Sequence, residues 1–192
     1  MDIATAIRTR RSVRKFKSDP VPDEILEEII DLALWAPSAM NRQQRYFVVV
    51  KGEAQIEQLK IFSDAFDDME PTLNKVFKGK PKIVDSMRTF MKTYGNAPVY
   101  IFAYAGKLPS GGWDLGSASA ALENLLLAAH AKGLGAVWSD GIMAKEAEIN
   151  AALGIKDKKL ICAVPIGYPD EEPRTPPRKD GRVQWIGFDG KE

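Results

Sequence analysis

Between residues 22 and 36 the apolar positions Ile25, Leu26, Ile29, Ile30, Ala33 and Leu34 recur at intervals of three and four, which lays them along one stripe of a helix. Asp23 and Glu24 in the first turn suit the positive end of the helix dipole, and Pro37 stops the run. Phe47 to Val50 is a short β-branched stretch that reads as a strand, and Ile56, Leu59 and Phe62 return to helical spacing after Lys51-Gly52. From about Ser63 to Lys82 the pattern loses its period, with Pro71, Gly79 and Pro81 as breakers, so a mobile excursion or lid is expected there.

Pro98 to Ala105 is strongly apolar and rich in β-formers, the signature of a central strand, and Gly111-Gly112 marks a loop after it. From Leu115 to Lys132 apolar side chains fall on nearly every face, which predicts a helix buried all round and ended by Gly133. A helix with no wet side in so small a chain points to a subunit interface. Two more strands are predicted at Ala136 to Trp138 and Leu160 to Ile166, with a helix near Lys145 to Leu153 between them that Gly154 terminates. The fold class is α+β. Beyond Gly167, Pro169, Pro173, Pro176 and Pro177 lie among charges, and Val183, Trp185, Ile186 and Phe188 are too few to fold alone. This arm is expected to lie extended across a neighbouring surface, in a dimer that of the partner.

A chain of 192 residues that is 45% hydrophobic can bury one sizeable core, and no linker divides it, so residues 1–192 read as one domain. Basic and acidic residues number 27 and 26, which leaves no global field of the kind that drives non-specific nucleic-acid binding. Cys162 is the only cysteine; an intramolecular disulfide and a multi-cysteine zinc site are excluded, and a reducing, cytoplasmic setting is expected. No apolar run approaches the roughly 18 to 20 residues that span a bilayer, and the opening residues lack a signal-peptide pattern, so neither membrane insertion nor secretion is expected.

The charge is nonetheless concentrated. Arg8, Arg10, Arg11, Arg14, Lys15 and Lys17 face a single acid, Asp2, in residues 1–17. Arg10-Arg11-Ser12-Val13-Arg14 offers guanidinium forks and a hydroxyl at a spacing that suits a phosphate ester. Taken alone, such a run is more often a solvated surface or a nucleic-acid arm, but the wide basic stripe and exposed aromatics of a nucleic-acid surface are missing elsewhere.

Three further stretches carry candidate chemistry. In Ala36-Pro37-Ser38-Ala39-Met40-Asn41-Arg42-Gln43, an ordinary helix exit is the default, yet Asn41 and Gln43 together supply donors and acceptors for the edge of a planar heterocycle. Gly133-Leu134-Gly135 follows a helix and precedes a strand, the reverse of a dinucleotide-binding turn, so its glycines read as a helix stop and a tight turn. Ser139-Asp140-Gly141 beyond that strand can present backbone N–H groups to a ligand. Arg178, in a Pro-rich tail with Arg174 and Lys179, can add a further cation to a phosphate site. His130, the sole histidine, is expected to be a packed structural imidazole, and Cys162 an inert thiol. No metal set and no Ser-His-Asp arrangement is visible, so an enzymatic function requires a cofactor.

In order, Arg10-Arg11-Ser12-Val13-Arg14-Lys15-Phe16, Ala36 to Gln43 leading into Phe47 to Val50, Gly133 to Trp138, and Gly167-Tyr168-Pro169 with Pro177-Arg178-Lys179, the chain resembles the nitroreductase family of FMN-dependent oxidoreductases over essentially its full length. The resemblance implies an α+β sandwich with a central mixed or antiparallel sheet flanked by helices, and a homodimer with FMN sites at the interface. It also implies a domain-swapped C-terminal arm, about residues 168–192. By analogy Arg10 and Ser12 hold the FMN phosphate, Arg11 lies near the phosphate and ribityl chain, Arg178 closes the site, and Arg14 approaches N1 and O2 of the ring. Pro37, Ser38, Ala39, Asn41 and Gln43 are expected to line the flavin from the second subunit, with Ser139, Asp140 and Gly141 near its N5 edge. The implied activity takes hydride from NADH or NADPH and passes electrons to a nitroaromatic, quinone or similar small acceptor in a ping-pong cycle, the flavin rather than a side chain doing the chemistry. Gln44-Arg45 departs from the Pro-Trp that often ends the second motif. Dehalogenation, azoline oxidation and flavin fragmentation are alternatives on the same flavin, and a non-catalytic nucleic-acid-binding domain is the alternative from another class.

Overall fold

In the computed structural model residues 1–188 are described, and they form helices on both faces of one four-stranded sheet. The elements are α1 (Ile3–Thr9), α2 (Asp23–Leu34), β1 (Arg45–Lys51), α3 (Gln55–Val76), α4 (Pro81–Thr93), β2 (Val99–Ala105), α5 (Leu115–Ala131), β3 (Gly135–Ala136), α6 (Glu146–Ala152) and β4 (Lys159–Gly167). The strand order is β1-β2-β4-β3 with every named pair antiparallel, and a single parallel bridge joins Ser12 to Ala136. Val48 faces Phe102 and Ile101 faces Val164 across the ladder, which a bulge interrupts between Ala103 and Tyr104.

Strand β2 is central and wholly buried, so its alternating side chains serve two cores. Val99, Ile101 and Ala103 pack with α2 and α5, against Ile29, Leu122, Leu125 and Leu126. Tyr100, Phe102 and Tyr104 pack with α3, α4 and α6, against Phe62, Phe66, Val84 and Ile149. Tyr94 sits within this second core, its ring 4.0 Å from that of Phe62 and 5.1 Å from that of Phe90.

The expected lid from Ser63 to Lys82 is corrected by the structure to two packed helices. Ile61, Phe62, Ala65, Phe66, Met69 and Leu73 keep a three-and-four spacing through that region, so burial sustains α3 across Pro71. Pro71 is exposed, and it forfeits only the N–H that would bond the Asp67 carbonyl. Pro81 starts α4 at its first turn, where no N–H is needed, and Gly79 adopts φ +79° in the connection. Two smaller corrections concern the later elements. The α5 helix is not buried all round, because Leu115, Gly116, Glu123 and Ala131 are exposed in the single chain. The strand expected at Ala136 to Trp138 shrinks to Gly135–Ala136, after which Ser139 rejoins the sheet through an isolated bridge to Ala163.

Residues 168–188 form no helix or strand, and their first part lies against the N-terminal segment of the same chain. The Lys17 N–H donates to the Tyr168 carbonyl and the Asp170 N–H to the Lys15 carbonyl, both at 2.9 Å. The last four residues of the expected arm, 189–192, lie outside the described residues.

Candidate functional site

The N-terminal basic segment is held in place by its apolar members. After α1, the Val13 N–H donates to the Ala136 carbonyl at 3.1 Å and the Phe16 N–H to the Gly95 carbonyl at 2.9 Å, with both side chains buried. Gly135 permits this approach: a Cβ there would lie 2.7 Å from the Val13 side chain. With Val13 and Phe16 turned inward, Ser12 and Arg14 face the cleft on the other side.

That cleft, about 320 Å³, is lined by Arg10, Arg11, Ser12, Arg14, Arg174 and Arg178, with no carboxylate among its lining residues. Five guanidinium groups and a hydroxyl from two ends of the chain therefore converge. Arg11 donates to Thr175 Oγ1 at 3.1 and 2.6 Å and to the carbonyls of Arg8 and Arg10, which fixes the tail over the segment. The Arg10 Nε lies 3.5 Å from Glu123 Oε1, yet it is buried with no hydrogen-bond acceptor. The guanidinium groups of Arg14, Arg174 and Arg178 form no ion pair among the described residues. Glu171 accepts the Arg14 backbone N–H, and Lys15 pairs with Asp170 at 2.7 Å; these contacts strap the tail to the segment. Concentrated guanidinium forks, three of them without an ion pair among the described residues, together with a buried Arg10 Nε that has no hydrogen-bond acceptor, fit a phosphate monoester.

The second group lies elsewhere on the chain. Ala39–Asn41 forms a 3-10 turn in which the Ala39 N–H donates to Ser117 Oγ at 3.1 Å and the Gln43 N–H to Ser38 Oγ at 2.9 Å. Met40, Asn41 and Gln43 all adopt left-handed φ values, 52, 52 and 56°, three strained non-glycine residues within four positions. Asn41 and Gln43, joined by a 3.3 Å side-chain hydrogen bond, line a separate cavity of about 370 Å³ with Asp31, Trp35 and Arg45. Arg45 reaches the α2 C-terminus, donating to the Leu34 carbonyl. No described cavity contains both this loop and the cationic cleft, and Pro37, Ser38 and Ala39 line neither.

Of the third group, Ser139 has its backbone engaged within the sheet. Its N–H and carbonyl are both committed to Ala163 at 3.0 Å, so Asp140 and Gly141 carry the amides left for a ligand. Gly141 is flanked by Met69 of α3 and Met91 of α4, which would lie 3.4 and 3.5 Å from a Cβ built on it. These two methionines escaped sequence reasoning, because only the packing of α3 against α4 brings them to this turn. Arg174 was visible as part of a basic tail but gave no sign that it would face Arg14.

His130 is half-buried, its Nε2 2.7 Å from Thr9 Oγ1. Burial first, then Arg10 and Arg11, hold its pKa below the ordinary histidine value. Cys162 is buried and burial pushes its thiol up, so no thiolate forms near neutrality. Tyr94 is likewise kept protonated by burial. Among the described residues no group of three or more His, Cys, Asp or Glu side chains is placed to hold a metal, and no helix is long and apolar enough to cross a membrane.

A helix-flanked antiparallel sheet carrying an arginine-lined cleft defines the general class. The description of the nitroreductase family matches residues 7–168, and the chain belongs to that family. It is 33% identical to an NADH dehydrogenase of Thermus thermophilus over 187 residues, which span 90% of this chain and 89% of that one. It is 30% identical to an iodotyrosine deiodinase of Thermotoga neapolitana over 94% of this chain and 96% of that one. A solved protein of Desulfovibrio desulfuricans in complex with FMN superimposes with a TM-score of 0.74 at 25% identity, covering 98% of each chain.

Proposed function

We propose that this chain is an FMN-dependent NAD(P)H oxidoreductase that acts as a cytoplasmic homodimer on a small acceptor. The observation that carries the reading is the cleft in which Arg10, Arg11, Ser12, Arg14, Arg174 and Arg178 converge without a carboxylate. A phosphate monoester at neutral pH carries close to two negative charges and three acceptor oxygens, and it satisfies several guanidinium forks at once. The FMN complex of the Desulfovibrio relative supports flavin as the bearer of that phosphate.

Arg10, Ser12, Arg174 and Arg178 would bind the phosphate, with Arg11 bracing the tail and lying beside the ribityl chain. Arg14, exposed and unpaired, would place a fixed positive charge at the N1 and O2 edge and so favour a negative charge there. Asp140 and Gly141 would meet the N5 edge. Pro37, Ser38, Ala39, Asn41 and Gln43 would come from the second subunit, which accounts for their distance from the cleft within one chain. When bound, the flavin would supply the redox chemistry that links NAD(P)H to the acceptor in alternating half-reactions. No side-chain acid or base is required of the protein.

The apolar surface around α2 and the loop after it supports the dimer. Trp35 is 78% and Met40 84% exposed in the single chain, with Leu32, Leu34 and Leu115 also uncovered. The tail from Val183 to Ile186 would exchange onto the partner, since it forms no element of its own. Reductive dehalogenation is the second reading, favoured by 30% identity to an iodotyrosine deiodinase across nearly the whole of both chains.

The decisive experiment is cofactor content. Purified protein is expected to be yellow, to release flavin on denaturation and to hold about one FMN per chain if sites scale with subunits. Arg10→Ala/Arg178→Ala is expected to be colourless while keeping its far-ultraviolet circular dichroism. A wild-type protein that is colourless and fails to take up added FMN sinks the reading.

A further inference from the structure

Where α3 passes into α4, Lys75, Lys78, Lys80 and Lys82 occupy four of eight consecutive positions, and all four are exposed. None pairs with a carboxylate among the described residues, whereas Lys15, Lys51, Lys92, Lys107, Lys132, Lys145 and Lys159 each do. Four acids of the same hairpin are already engaged. Glu70 and Asp85 hold Arg88, Asp67 holds Lys92 at 3.1 Å, and Asp68 holds Lys145 at 2.8 Å. These pairs also fasten α3 to α4 and to the turn before α6, so the tip projects from a braced support. Beside the lysines, Val76 is 68% and Ile83 38% exposed, a pair of apolar contacts set among the cations.

The root of this hairpin lies where Met69 and Met91 flank Gly141. Lys75 is six residues along α3 from Met69, about 9 Å at 1.5 Å per residue, and Lys78 lies further on. An extended dinucleotide is longer than the distance to Lys75, so with one end at Gly141 its other end reaches the tip, where Lys78, Lys80 and Lys82 stand. We propose that the α3–α4 tip is the subsite for the 2′-phosphate of NADPH, with Lys75, Lys78, Lys80 and Lys82 as its cations and Val76 and Ile83 against the adenine. The inference rests on the redox reading given above, which puts the nicotinamide beside Gly141. NADPH and NADH differ only in this phosphate, a terminal group of nearly two charges, and clustered lysine ammoniums recognise such a group as point charges. The preference of the enzyme is therefore for NADPH.

The test uses FMN-loaded wild-type protein and the Lys75→Gln/Lys78→Gln/Lys80→Gln/Lys82→Gln variant, in which every altered side chain is exposed. For the wild type, KM for NADPH is expected to be roughly tenfold or more below that for NADH, in line with one or two charged hydrogen bonds. In the variant the NADPH constant rises by that factor and the ratio collapses toward one. Calorimetric titration of the loaded protein with adenosine 2′,5′-bisphosphate gives a readout independent of turnover. Binding is expected in the wild type, to weaken as salt rises, and to be lost in the variant, while adenosine 5′-monophosphate binds neither measurably. A yellow protein with equal constants for the two nucleotides, or a variant that retains the preference or the bisphosphate, overturns this subsite alone. A protein that takes up no flavin overturns the redox reading beneath it.

Discussion

Arg11 shows how a side chain that is indistinguishable from its neighbours in sequence acquires a separate task in the fold. Its forks are spent on Thr175 and on two carbonyls, so it fastens the tail, while Arg14 keeps an unpaired guanidinium in the cleft. Arg10 is intermediate, with Glu123 nearby and an orphaned Nε. His130 lies on α5 where the sequence leads one to expect it, though half-buried rather than fully packed, and its surroundings give stability a pH dependence. Burial, then Arg10 and Arg11, lower its pKa in the folded state. The unfolded chain therefore binds more protons as pH falls through the ordinary histidine range, near 6.5, and the contribution present above that range is lost below it. In urea melts at pH 7.5 and 5.0, the wild type is expected to lose more stability on acidification than His130→Gln. Parallel losses would show that neither burial nor the arginines shift the imidazole.

At the scale of elements, the helices and strands with an unbroken period were legible, and α2, β1, β2 and β4 fall where the pattern puts them. The failure at 63–82 is instructive. By local rules Pro71, Gly79 and Pro81 are vetoes, but Pro71 sits on the exposed side of a helix whose buried stripe runs on through Met69 and Leu73. Tertiary burial outweighs a single missing hydrogen bond. The connection after α4 turns on a different constraint. Gly95 adopts φ +66°, and a Cβ on it would collide with the Arg14 carbonyl. Gly95→Ala is expected to lower stability by about 2 kcal/mol or more, from backbone strain and overpacking together, and to loosen the segment that carries Ser12 and Arg14. Thermal melts check the first expectation and FMN affinity the second; an unchanged Tm would show that the segment relaxes without cost.

For the molecule as a whole, the separation of the Asn41–Gln43 loop from the arginine cleft and the exposure of Trp35 and Met40 point the same way. In the proposed dimer a second copy would bring a loop to the cleft and cover the apolar surface in one step. Trp35→Glu is expected to shift the protein from dimer to monomer in sedimentation velocity and to lose flavin together with the partner. A monomeric variant that keeps its FMN would show that one chain completes the site.

The periodicity of apolar positions determined by itself which segments fold and which faces they bury, because that information is local and repeats every two or three to four residues. The crowding of cations near the amino terminus was equally plain, since it needs only counting. The tertiary structure alone decided which charges remain available. Arg11 meets Thr175 across 164 positions and Arg14 meets Glu171 across 157, and no local rule reports whether such distant groups neutralise each other or converge. That choice depends on how the sheet and its two helical layers close.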